Sequence, residues 1–317
     1  MNPDLLTTRL LRLVHRTRSS ARLIFGRATG LNELEWSIVL ETGRCGALLV
    51  SEIANIVDAD LAQISRAVGK LTDDGFIARQ GSRTPARPTA EGMAQFQKLV
   101  RIGRARNRML LANLPDGDIH FLIDAIDRLV RQVDIVAREE GVLLWEGDAP
   151  HGNAAAHEPQ RMPLTDARGH PLMMPRLQLL FRAARRAAQP TFRRISGLSA
   201  LEWRVLLWAN ELKPIGLSEL VRLMERQKGQ VGTVVKRLEH TGLVKRDLSR
   251  PKNIEIHLTP EGERIATRLD EETTQRDRFF LTPFVPVEQE RLIALFDRLN
   301  DNAQNLLDYD RELLANI

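Results

Sequence analysis

The 317-residue sequence predicts a mainly α-helical protein with small β-ribbons, built twice over. Three observations predict this. The phrase GLNELEW at Gly30–Trp36 returns as GLSALEW at Gly197–Trp203, an offset of 167 residues. Leu, Ala and Arg dominate while aromatics make up only 5%, a composition that favours helices over sheets. The length also exceeds that of a usual single domain, so two domains are expected.

The repeat continues without a gap beyond the opening phrase. Ser51-Glu52 matches Ser218-Glu219, Gln63 matches Gln230, Val68 matches Val235 and Leu71 matches Leu238. Gly75 and Arg79 match Gly242 and Arg246; TAEG at Thr89–Gly92 then matches TPEG at Thr259–Gly262, at an offset of 170. Self-similarity over so long a period marks a duplicated domain rather than a solenoid unit. The expected boundaries are a first copy over 1–140, a linker over 141–171 and a second copy over 172–317.

Each copy has the same order of elements. A long amphipathic helix opens it, LLTTRLLRLVHRTRSSARLIF in the first and LQLLFRAARRAAQPTF in the second. A helix around the Trp follows, with Leu34, Trp36, Ile38 and Leu40 as its apolar content. Ser51 and Ser218 are expected as N-caps, each with a Glu beside it at the positive end of a new helix. Leu61, Ile64, Val68 and Leu71 then lie at helical spacing, and Gly75 and Gly242 stand where a helix end needs a left-handed residue. After Gly242 the pattern is strand, turn, strand. Leu243-Val244 begins it, Arg250-Pro251-Lys252-Asn253 turns it, and Ile254, Ile256 and Leu258 alternate on the return. Thr259 caps a long helix. The last two helices of each copy are expected at Glu91–Asn113 and Asp116–Glu140, and at Glu261–Phe280 and Val287–Leu314. Between the copies, GDAPHGNAAAHEPQRMPLTDARGHP has no sustained apolar period and reads as a linker, with His151 and His157 solvated in it.

Charge and cysteine content narrow the functional classes. A net charge of +5 suits an anionic partner. Cys45 is the only cysteine, so an internal disulfide is impossible and a reducing compartment fits. The N-terminal segment has arginines throughout its apolar stretch, unlike a secretory signal, and no apolar run reaches membrane-spanning length. The expectation is a cytoplasmic protein without membrane contact. Hydrolytic triad, phosphate-loop and zinc spacings are not evident, so neither an enzyme nor a cofactor is expected.

Two short helices followed by a two-stranded ribbon make a winged helix-turn-helix. The second helix fits the major groove, and its exposed side chains meet base edges, while Arg and Lys on the ribbon meet phosphate. Both copies moreover resemble the multiple antibiotic resistance regulator (MarR) family. The residues carrying the resemblance are GLNELEW…SEIA…QISRAVGKLTDDGFI…TAEG and GLSALEW…SELV…QVGTVVKRLEHTGLV…LTPEG. The resemblance implies a transcription regulator that binds double-stranded operator DNA, as a repressor released by a small aromatic or phenolic ligand. Because such regulators pair as homodimers through their first and last helices, two copies in one chain imply an intramolecular pseudo-dimer.

The DNA-binding residues that follow are Ser51, Gln63, Ser65, Arg66, Lys70, Arg83 and Arg87 in the first copy. In the second they are Ser218, Lys228, Gln230, Thr233, Lys236, Arg237, Arg250 and Lys252. The copies differ where DNA would be read. Ser65-Arg66 keeps the family's Ser-Arg, whereas the second copy has Gly232-Thr233. Between Arg222 and Lys252 there are nine basic and three acidic residues, against four and four between Asn55 and Pro85. Phosphate neutralisation dominates affinity. The second copy is therefore expected to anchor the DNA and the first to add readout, or only to complete the fold, on an asymmetric or imperfectly palindromic operator.

The resemblance also implies effector sites near the dimerisation helices, with His15, Arg16, Arg22 and Trp36 in one and Arg182, Arg185 and Trp203 in the other. Core packing for the tryptophans and salt bridges for the arginines are the competing expectations. Cys45, after Arg44 in the loop before Ser51, is either an oxidant sensor or a passive thiol. Asp116, Asp118, His120, Asp124 and Asp127 superficially suggest a metal, but acidic residues at a helix start answer to the helix dipole, and no metal is expected. The rivals to a regulator are a tandem winged-helix replication initiator, an architectural DNA-binding protein and a protein-interaction scaffold.

Overall fold

The computed structural model describes residues 4–57, 59–81, 84–141, 164–166, 169–224, 228–249 and 254–315. Among them the first half of the chain forms α1 (Leu6–Thr29), α2 (Glu33–Cys45), α3 (Val50–Val57), α4 (Leu61–Asp73), β1 (Ile77–Ala78), β2 (Arg87–Pro88), α5 (Ala90–Leu110) and α6 (Asp116–Glu139). The second half forms α7 (Met173–Ser196), α8 (Ala200–Glu211), β3 (Ile215–Gly216), α9 (Leu217–Met224), α10 (Lys228–His240), β4 (Val244–Asp247), β5 (Glu255–Leu258), α11 (Pro260–Leu281) and α12 (Pro286–Ala315). The fold is mainly helical with small antiparallel sheets, in winged helix-turn-helix order in both halves.

The ribbon of the second half carries a strand the sequence reading did not foresee. β3 pairs with β5 through Ile215↔Ile256, so the sheet runs β3-β5-β4. In the first half β1 and β2 pair through Ile77↔Pro88 and Ala78↔Arg87. Leu48 bridges Ala86 there, which is the counterpart of Ile215 on Ile256.

Two compact units divide the chain, and they cut across its halves. One is Met1–Arg9, Leu129–Leu144 and Ala183–Gln289; the other is Leu10–Arg128, Trp145–Arg182 and Glu290–Ile317. Each unit thus holds one winged helix-turn-helix together with end-helix segments from the opposite half. Within the second of these, Trp36, Ile38, Ile53, Ile64, Val68, Leu71 and Phe96 form the core under the helix-turn-helix. Within the first, Trp203, Leu206, Leu220, Val231, Val235, Leu238 and Ile256 do the same.

The repeated motifs have matching physical causes in both units. Gly30 and Gly197 follow α1 and α7 at φ +73° and +69°, a region that side chains disfavour. Trp36 meets Phe25 edge-on at 5.0 Å between centroids, and Trp203 meets Phe192 at 4.7 Å. Thr89 accepts a hydrogen bond from the Gly92 N–H at 3.0 Å and donates to the Gly75 carbonyl at 2.6 Å. Thr259 repeats this with Gly262 and Gly242 at the same distances. A Cβ on Gly92 would fall 2.0 Å from the Phe76 carbonyl oxygen, and one on Gly262 2.0 Å from that of Leu243. Backbone cannot yield as a side-chain tip can, so these two sites admit only glycine.

Four expectations need correction. Ser51 and Ser218 are not N-caps, because α3 begins at Val50 and α9 at Leu217, one residue earlier. At α3 the Glu52 carboxylate accepts from the Leu49 N–H at 2.6 Å instead. Cys45 closes α2 rather than lying in a loop. Finally, the end of the expected linker packs on first-half helices. Arg104 of α5 donates to the Thr165 carbonyl at 2.7 Å, and His170 lies edge-on against His120 of α6 at 4.8 Å. His151, His157 and most of the linker lie outside the described residues.

Candidate nucleic-acid interface

The helix after each tight turn presents one apolar and one open face. In α4, Ile64, Ala67, Val68 and Leu71 are buried, which leaves Leu61, Ala62, Gln63, Ser65, Arg66, Gly69 and Lys70 exposed. In α10, Val231, Val235 and Leu238 are buried, while Lys228, Gly229, Gln230, Thr233, Lys236 and Arg237 are exposed. This is the arrangement a groove-reading helix needs: one face anchored in the core, the other turned to solvent. The exposed Ser51 and Ser218 lie on the preceding helices, and Arg87 is exposed on β2. Arg83, Arg250 and Lys252 lie outside the described residues.

Both α4 and α10 are tied down by the glutamate of the repeated phrase. Glu35 is buried, with 3% of its side chain exposed. It accepts from the Asn32 N–H at 2.9 Å and from Lys70 Nζ at 2.6 Å. Glu202, 5% exposed, accepts from the Ser199 N–H at 2.7 Å and from Arg237 Nε at 2.9 Å. One carboxylate therefore caps the Trp helix and holds the last turns of α4 or α10. The bond to Glu35 holds the Lys70 ammonium above the usual lysine range. Burial pushes the Glu202 carboxyl up, but hydrogen bonds from Ser199 and the charge of Arg237 outweigh it, and it titrates below the usual range. Sequence reading had assigned Lys70 and Arg237 to DNA and had overlooked their carboxylate partners. The signal was present, since Glu and its cation recur 35 residues apart in both copies.

Other cations of the second half are paired. Arg246 binds Glu239 at 2.5 Å and Arg222 binds Glu219 at 3.2 Å. Asp247 faces Glu255 across the ribbon, with His257 beside it, and their ligand-type atoms gather within 4.8 Å. Lys228, Lys236 and Lys245 remain exposed, with no ion pair among the described residues. In the first half Arg66 and Arg87 are the exposed counterparts. The Arg66 Nε donates only to its own helix, to the Ala62 carbonyl at 3.2 Å. Thr233 likewise turns its hydroxyl to the Gly229 carbonyl at 2.9 Å.

The residues considered for an effector are mostly engaged in tethering. Arg16 donates to the Asn300 carbonyl at 3.0 Å, and Arg22 pairs with Glu33 at 3.1 Å. Arg182 donates to the Ile56 carbonyl at the end of α3. His15 lies half-buried on α1 and Arg185 half-buried on α7. Trp36 and Trp203 belong to the cores. The Trp36 indole Nε1 is buried without an acceptor among the described residues. The acidic run of α6 pairs with arginines, Asp118 with Arg291 at 2.5 Å, Asp124 with Arg128 at 3.6 Å, and Asp127 with Arg176. Arg44, next to Cys45, pairs with Glu41 at 3.2 Å.

Among the described residues no helix is long and apolar enough to cross a membrane. No curated protein matches the chain. The solved structures similar to parts of it include three transcription regulators. A probable transcriptional regulator from Pseudomonas aeruginosa is 26% identical, covering 39% of this chain and 96% of its own, with a TM-score of 0.31. The PcaV transcriptional regulator from Streptomyces coelicolor, solved with its natural ligand, is 20% identical over 39% and 91%, with a TM-score of 0.32. MepR, a transcription regulator of the Staphylococcus aureus multidrug efflux pump MepA, is 13% identical over 35% and 82%, with a TM-score of 0.31. The model of the MarR family matches residues 198–249, which run from α8 through α9 and α10 into the wing. Over that helix-turn-helix and the strand after it, the chain is similar to the MarR family.

Proposed function

We propose that the chain is a sequence-specific DNA-binding transcription regulator that presents two unequal reading heads as an intramolecular pseudo-dimer. The observation that carries this is the coincidence of the family match with the second helix-turn-helix and its exposed cations, Lys228, Lys236 and Lys245. Support for the pseudo-dimer comes from equivalent contacts in the two units. Within one unit, Arg106 of α5 binds Asp310 of α12 at 2.7 Å. Within the other, Arg276 of α11 binds Thr191 of α7 at 2.6 Å and reaches Glu140, after α6, at 3.5 Å. These are copy-equivalent positions, with first-half and second-half helices interchanged.

In this reading the tandem copies are 1–140 and 172–317, and the chain acts in the cytoplasm, without enzymatic activity, as a repressor on an asymmetric or imperfectly palindromic operator. The reading residues are Gln63, Ser65 and Arg66 in one head and Lys228, Gln230, Thr233 and Lys236 in the other. Ser51, Ser218 and Arg87 meet the backbone. A small aromatic or phenolic effector occupies the first copy, where the unpaired Trp36 indole offers it a donor.

Fluorescence anisotropy of the full chain tests the central part. On a duplex selected from a random pool, at about 50 and 200 mM salt, affinity should exceed that for unrelated DNA by roughly 10³ or more and fall steeply with salt. Equal affinity for every duplex would identify an architectural protein. Failure to bind any DNA would leave the scaffold reading. For the effector, a hydroxylated aromatic acid should release the DNA and raise Tm; a panel of such acids without effect would remove that element.

A further inference from the structure

We propose that the first head reads the C5-methyl group of a thymine through Leu61, a reading the second head lacks. The inference rests on the DNA-binding function proposed above. Leu61 is the first residue of α4, and 54% of it is exposed, although leucine ordinarily gains by burial. Exposed Ala62 lies beside it, so the leading end of this reading helix is apolar. That end is also closed to phosphate. The Asp60 carboxylate accepts from the Ala62 N–H at 2.9 Å and from the Gln63 N–H at 3.2 Å, filling with its own negative charge the place an anion would take.

The N-terminal residues of a reading helix are those that contact base edges. In the major groove the one apolar feature by which a base is distinguished is the thymine methyl. An exposed leucine beside a phosphate-repelling cap matches that group and no other base edge. The second head has exposed Lys228 and Gly229 at the same two positions, a cation suited to phosphate or guanine. Gln63 and Gln230 are both exposed two residues further on, and each can pair with the N6 and N7 atoms of adenine. The two operator arms should then share an adenine and differ at a neighbouring thymine.

The test uses the full chain and a duplex enriched by it from a random pool, with each thymine replaced singly by deoxyuridine. In wild type, one thymine in one arm should show a loss of roughly fourfold on demethylation, the size expected for one buried methyl. In Leu61→Ala the thymine duplex should bind as weakly as the uracil duplex does in wild type, with no further loss on demethylation. Lys228→Ala should weaken binding while keeping the uracil effect. If no thymine is sensitive, or if the sensitivity persists in Leu61→Ala, the assignment is overturned while DNA binding stands. If the chain enriches no duplex, both fall.

Discussion

Arg106 and Arg276 occupy the same position in the two copies, in different company. Arg106 meets Asp310, whose side chain is only 4% exposed, and both are bound to Ser20. Arg276 meets Glu140, 19% exposed, together with Thr191, Glu272 and the Ala187 carbonyl, and Glu140 has Arg194 as a second cation. The next residue differs more sharply. Asn107 accepts from the Met173 N–H at 2.8 Å. Its counterpart Asp277 accepts from the Leu6 N–H at 3.0 Å and the Thr7 N–H at 2.8 Å. The same joint between a long helix and the start of an opening helix is thus neutral in one unit and ionisable in the other. Divergence between the halves thus extends to these long helices, where the joint is kept while its charge and its hydrogen-bond partners change.

Truncating the arginines should give the largest separation. Arg106→Met strands the buried Asp310 and should cost about 3–5 kcal/mol, whereas Arg276→Met should cost roughly half as much, because Glu140 keeps Thr191 and Arg194. Denaturant unfolding of the two variants checks the order; equal losses would mean the two sites are energetically alike. Next come the tight glycines. Gly92→Ala and Gly262→Ala should each cost about 3 kcal/mol, since a backbone carbonyl stands in the way. Gly69→Ala, in open space on α4, should instead add up to about 1 kcal/mol from helix propensity.

The smallest effect is the most diagnostic of the comparison. Burial pushes the Asp277 carboxyl above the usual carboxylate range, despite hydrogen bonds from the Thr7 and Leu6 amides and the nearby Arg9 that favour its charge. A raised carboxyl means that its contribution to stability is greatest below the unfolded value and declines as pH rises through the folded one. The stability of Asp277→Asn relative to wild type should therefore rise with pH, from a deficit in acid, where its amide offers one acceptor to the two N–H donors of Leu6 and Thr7, and that of Asn107→Asp should fall. Parallel Tm-against-pH curves for wild type and Asp277→Asn would show that this carboxyl is not shifted.

Much of this was legible in the sequence because its causes are local or repeat. The Thr caps of α5 and α11, the left-handed Gly75 and Gly242, the buried tryptophans and the ribbon of the second copy each follow from a few adjacent residues. What was not legible depends on distant partners. The pairing of Arg106 with Asp310 joins residues 204 apart, and no periodicity announces it. Counting charges also missed the partners of two cations, because Lys70 and Arg237 are bound by Glu35 and Glu202, which lie outside the counted windows. The two-residue β3 is too short for an alternating pattern to reveal it. Ser51 and Ser218 were misread as caps because a serine before a glutamate is a good capping signal, and here the helix starts one residue sooner.

Hydroxyl-radical footprinting of the full chain on its selected duplex tests the central claim most directly. One chain with two unlike heads should protect two arms of different sequence, with Arg66→Ala weakening one patch and Lys228→Ala the other. A perfect inverted repeat, protected equally on both arms and weakened equally by either variant, would contradict it.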